Sequence, residues 1–146
     1  MRQLISVIAV LSAALFAGAA LYVNVAEHPA RLELETRSAA AQWAPSYRRG
    51  TWMQAPLAIA SFLCGVVVWL TGGGVGWVVA ATLVGLVVPF TFVGIMPTNQ
   101  RLLAPGRDLS SPETRALLEH WGRLHAVRTV LSLFASVLYL CLLVGA

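Results

Sequence analysis

Residues 4–23 read LISVIAVLSAALFAGAALYV, an apolar run without one charged side chain. At about 1.5 Å of rise per residue, a helix of this length crosses a hydrocarbon core about 30 Å thick. Arg2 ahead of the run and Ala17-Gly18-Ala19 inside it also fit a cleaved secretory signal. The apolar run continues past that small-residue site, which favours a span that stays in the membrane.

Outward from this run the chain keeps the same character. Of 146 residues, 58% are hydrophobic and 11% charged, and the mean hydropathy is positive, which excludes an ordinary water-soluble domain. All ten basic residues are arginine. Genome base composition accounts for most of that bias, although arginine does keep its charge near lipid and offers two-pronged contacts. Spans are expected at about residues 4–26, 51–70, 75–96 and 124–144. Their length leaves room for a single integral membrane domain over residues 1–146 and no second one.

Thr71-Gly72-Gly73-Gly74 reads as the tight turn between spans two and three. Pro89 lies inside span three and is expected to kink it, since proline lacks a backbone donor and clashes with the carbonyl one turn earlier. Ser110 or Ser111, followed by Pro112 and Glu113, starts the last helix. No breaker but Gly122 follows, so a helix of about 33 residues and about 50 Å is expected, with its first turns outside the hydrocarbon. Pro29 disfavours helical geometry at His28. Residues 30–43 can form a short interfacial helix with Leu32, Thr36, Ala39, Ala40 and Trp43 on one face. The expected fold is therefore all-α: a transmembrane four-helix bundle of antiparallel, up-and-down topology, with a short interfacial helix between spans one and two.

Nine arginines fall at the end of the bundle that carries the long connections, and Arg2 alone at the other. The positive-inside rule puts those connections in the cytoplasm and both termini outside, in a multi-pass inner-membrane protein. Arg48 and Arg123 read as topology determinants facing headgroups. Trp52 and Trp77 suit an interfacial aromatic belt. Cys64 and Cys141, both mid-span, read as small apolar fillers.

The same end gathers the polar side chains that can do chemistry: His28, Gln54, Asn99, Arg101, Trp121, His125 and Arg128, with Tyr47 leading into span two. Asn24 and His28, four apart, share a helix face, and so do Trp121, His125 and Arg128 at spacings of four and three. Ionisable groups inside a membrane bundle are costly and usually have partners or a task.

Three segments carry a resemblance. Glu27-His28-Pro29-Ala30-Arg31, Met96-Pro97-Thr98-Asn99-Gln100-Arg101-Leu102 and Trp121-Gly122-Arg123-Leu124-His125-Ala126-Val127-Arg128-Thr129, in that order and at those ends of four spans, resemble a family of small integral membrane proteins that includes the anthrone oxygenases. The resemblance covers essentially the whole chain. It implies a membrane oxidoreductase that inserts oxygen from O₂ at an activated methylene of a fused-ring phenol. It further implies a base, His125 or His28, anion stabilisers in Arg101, Arg128 and Asn99, and a stacking wall in Trp52 or Trp121. Gln54 and Tyr47 join the substrate-binding set.

Such an enzyme can work without a cofactor. The two histidines also admit a metal reading, either as axial ligands of a haem iron or with Glu27 or His120 at a copper or iron centre. A reading from another class makes the chain a non-catalytic bundle whose polar cluster anchors haem, a hydrophobic ligand or a partner membrane protein. The partners expected are the lipid bilayer and a small hydrophobic aromatic ligand, with no nucleic acid. The small-residue pairs Ala13/Ala17 and Ala14/Gly18 favour close helix packing or a homodimer face.

Overall fold

The computed structural model describes residues 1–145. Four helices dominate: α1 (Arg2–Leu32), α2 (Thr36–Gly73), α3 (Val75–Leu102) and α4 (Pro112–Val144), each long and apolar enough to cross a membrane. No strand occurs among the described residues. α1 packs against α2 and α4, and α3 closes the ring against the same two. This is a multi-pass membrane protein whose successive helices are neighbours.

The turn residues behave as their chemistry requires. Gly72 and Gly74 both adopt φ of 89°, a region that disfavours residues with a Cβ. Arg2 donates to the Thr71 carbonyl at 3.3 Å, which ties the N-terminus to this turn. At the other end, Ser111 Oγ accepts the Thr114 N–H at 3.1 Å and caps α4, which runs for 33 residues. Regular bonding in α3 lapses at Leu86, where Pro89 has no N–H to offer the Gly85 carbonyl.

Two features differ from expectation. First, residues 30–43 do not form a separate interfacial helix. Their first part completes α1, and from Thr36 the chain runs unbroken into span two, with Pro45 and Pro56 inside the helix. The apolar face is the cause: Ala39, Ala40 and Trp43 are buried against Ile95, Leu117, Leu118 and Trp121. Neighbouring helices, rather than lipid, take up that face. Second, His28 is helical, at φ −72° and ψ −42°. α1 widens into a π turn at Val23–Glu27, in which the His28 N–H reaches back to the Val23 carbonyl. α3 does the same at Thr91–Ile95 before Met96-Pro97. Both wide turns run into an X-Pro step and absorb its missing donor without ending the helix.

α1 presents Ala9, Ala13, Ala17 and Ala20 to its neighbours, all buried. Their small side chains allow close approach, so the Ala13/Ala17 pair serves packing inside the bundle. Ala14 and Gly18 face outward. Trp77 is buried against Tyr139, ring centroids 5.4 Å apart, and belongs to the core rather than to a belt. Trp52, 76% exposed, keeps the belt position.

Candidate active site

A polar layer lies between the apolar cluster around Phe16, Ala58 and Val84 and the one around Trp43 and Trp121. It is built across the α1–α4 contact, where one glycine matters. A Cβ on Gly122 would stand 2.7 Å from His28 Nε2, so only glycine lets α1 approach this closely.

Each polar group there has a defined hydrogen-bond role. Asn24 Nδ2 donates to the Gly122 carbonyl at 3.1 Å, which fixes the orientation of its amide. Asn24 Oδ1 is then an acceptor and lies 2.8 Å from His125 Nδ1, while Thr129 Oγ1 donates to the same oxygen. His125 must therefore carry its proton on Nδ1. Its Nε2 keeps a lone pair and has no hydrogen-bond partner among the described residues.

His28 is the converse case. Its Nδ1 faces Arg31 Nη1 at 3.0 Å and its Nε2 the Leu118 carbonyl at 3.0 Å. A guanidinium only donates and a carbonyl only accepts, so the proton sits on Nε2 and both ring nitrogens are engaged. To act as a base or a metal ligand, His28 would first have to give up one of these bonds. Among the described residues, His28 and His125 gather no third His, Cys, Asp or Glu into a metal-binding group. Both rings pack against Trp121, with centroids 5.1 and 4.8 Å away.

Arg128 provides the charge of the layer. Its Nη2 donates to Gln54 Oε1 at 2.9 Å, and its guanidinium lies over the Phe16 ring, 5.4 Å from the centroid. Nε is buried without a partner. No ion pair involves Arg128 among the described residues. A small cavity of about 30 Å³, the size of one water, is lined by His125, Arg128, Trp121, Tyr47 and Gln54. A histidine with one unpartnered ring nitrogen and an arginine without a carboxylate thus line one space, a combination suited to removing a proton and holding the resulting anion.

The structure sorts the expected residues unevenly. His125, Arg128, Trp121, Gln54 and Tyr47 come together. His28 supports the layer from α1. Asn99 is buried on the neighbouring α3, with neither amide atom bonded, and the indole N–H groups of Trp43 and Trp121 are likewise unpartnered. Arg101 stands apart, with its side chain 59% exposed and paired with Glu113 at 2.8 Å. Trp52 points away from the layer.

Several partners were not legible as site residues. Arg31, 3% exposed, is ion-paired to Glu27 and bonded to Gln42, while Ser46 joins the Glu27 carboxylate. The Glu27–Arg31 spacing of four was the available signal, hidden by the expectation that Pro29 would break the helix. Thr129 and Gly122 gave no signal of their own.

Residues 43–138 match the family model described as Anthrone oxygenase. The chain belongs to the anthrone oxygenase family. Tyr47, Gln54, Asn99, Arg101, Trp121, His125 and Arg128 lie inside the matched stretch, and Asn24 and His28 before it. The chain is similar to the anthrone oxygenase ptaC of Pestalotiopsis fici, at 32% identity over 69% of this chain and 82% of that protein. It is also similar to the anthrone oxygenase tpcL of Aspergillus fumigatus, at 39% identity over 46% of this chain. In that pairing it spans only 44% of the relative's length. No solved structure matches.

Proposed function

We propose that this family member is a membrane oxygenase acting on a flat, lipophilic, anthrone-like phenol, with His125 as base and Arg128 as anion holder. The observation that carries this reading is that His125, whose Nε2 has no partner among the described residues, lines the same cavity as an arginine without a carboxylate. His125 Nε2 takes a proton from the ring methylene. The electron pair moves onto the ring oxygen as an enolate, which Arg128 holds with help from Gln54. The enolate is oxidised by O₂: the methylene carbon becomes a carbonyl, one oxygen atom stays in the quinone and the other leaves as water with the two methylene hydrogens. Trp121 and Tyr47 stack on the ring, and Asn99 serves as a further polar contact. Arg101 and Trp52 are assigned no part in the chemistry, because of their exposure.

Purified protein in lipid nanodiscs is expected to consume one O₂ per anthrone and to yield anthraquinone absorbance. His125→Ala should lower the rate by about 10²-fold or more, and Arg128→Met by a similar factor. An unchanged rate in His125→Ala would overturn the reading.

A further inference from the structure

We infer that the cleft between α2 and α3 is a lateral binding slot for a planar aromatic acid. The leading ring, carrying an ionised phenolic oxygen, lies against Arg128, and the remaining rings rest in the lipid-facing groove. The inference deepens the proposed function and rests on Arg128 facing the substrate site.

Three spaces lie in series. A groove of about 410 Å³ opens between α2 and α3 and is lined by Ile59, Phe62, Leu86, Val88 and Pro89 among others. It shares Ala58 and Val88 with an inner cavity of about 120 Å³. That cavity in turn shares Tyr47, Thr51 and Arg128 with the small space beside His125. Pro89, at the lapse in α3, stands in the groove wall, so the residue that interrupts the helix also borders the opening.

Size and charge select the occupant. The inner cavity, about 120 Å³, is slightly smaller than the ~150 Å³ that takes up one benzene ring, so it holds at most a single leading ring, and a larger fused system must extend into the groove. The groove is almost wholly apolar, whereas its inner end carries a guanidinium with an unpartnered Nε and no ion pair. An apolar slot ending in an unpaired cation is complementary to an aromatic anion. The cleft on the opposite side of α2, about 620 Å³, is a poorer route for such a ligand. It is lined by Glu27, Gln42, Ser46 and Arg49, with Glu27 already paired to Arg31, and this polar wall suits apolar fused rings less well than the groove between α2 and α3.

The test uses two unreactive probes, 2-hydroxyanthraquinone at mildly alkaline pH and neutral anthraquinone, titrated into protein in phosphatidylcholine nanodiscs. Wild type is expected to bind the acid about tenfold tighter than the neutral probe, and Arg128→Met to lose that preference. Val88→Trp and Ile59→Trp place bulk on opposite walls at exposed positions, where folding is least at risk. Each should weaken both probes about tenfold, while Met53→Trp in the opposite cleft leaves them within about twofold.

Equal affinity for the two probes in wild type overturns the acid selectivity. Blockage by Met53→Trp with none by Val88→Trp or Ile59→Trp overturns the route. Acid-selective binding without O₂ consumption on anthrone would leave the slot standing and remove the oxygenase reading. Turnover unaffected by both wall variants would remove the slot alone.

Discussion

Asn24 has no charge, yet it selects which nitrogen of His125 keeps its lone pair. Its amide is oriented by the Gly122 carbonyl, and its oxygen then demands Nδ1–H. Asn24→Leu is expected to release that tautomer and to lower turnover on the order of 10²-fold with little change in KM, whereas Asn24→Asp preserves an acceptor and should preserve Nδ1–H. Nitrogen-15 NMR of labelled histidine reads the tautomer directly, and a wild-type spectrum showing His125 protonated on Nε2 would overturn the assignment. Gly122 belongs to the same argument. Alanine at this helix-interior position would gain about 1 kcal/mol in propensity, but its Cβ would meet the His28 ring. Overpacking costs about 1–3 kcal/mol, so Gly122→Ala should lower the unfolding temperature despite the better helix former. At this scale the shared face of Trp121, His125 and Arg128 was legible from spacing alone. The burial of Arg31 and the separation of Arg101 from the cluster were not, because neighbouring helices decide which arginine is enclosed.

The helices show how local signals compete with packing. Ser111, Pro112 and Glu113 started α4 where their capping chemistry indicated, and Ser111→Ala is expected to cost about 1 kcal/mol in thermal unfolding. Pro29 was the misleading signal. Pro29 and Pro97 were absorbed by π turns and Pro45 by a helix held on both sides, so α1 extends to Leu32 and α2 begins at Thr36. The extension of α1 is what brings Glu27 and Arg31 to Ser46 of α2. Removing the carboxylate in Glu27→Leu leaves Arg31 buried and uncompensated. Because Glu27 is partly open to the cleft, the expected loss is about 2 kcal/mol, below the range for a fully enclosed pair. A thermal midpoint equal to wild type would contradict this role for the pair.

Across the whole molecule, the arginines divide by end. Nine lie towards the connections between α1 and α2 and between α3 and α4, against Arg2 beside the glycine turn. Several also brace those connections: Arg115 donates to the Leu34 carbonyl at 3.1 Å and Arg37 to Ser110 Oγ at 3.2 Å. The charge asymmetry predicts cytoplasmic connections, so a cysteine introduced at Asp108 of the variant lacking Cys64 and Cys141 should resist an impermeant thiol reagent in intact cells. Labelling there would reverse the orientation.

By itself the sequence determined the membrane class, the four apolar helices, the glycine turn and the face shared by Trp121, His125 and Arg128, because hydrophobic length and helical periodicity are local properties. Only the tertiary structure decided that His125 rather than His28 keeps an open nitrogen, that Arg31 is enclosed while Arg101 is not, and that Arg128 ends a cleft without a counter-charge. Those outcomes depend on which carbonyls and side chains of other helices lie within about 3 Å, and no spacing along one chain segment encodes that.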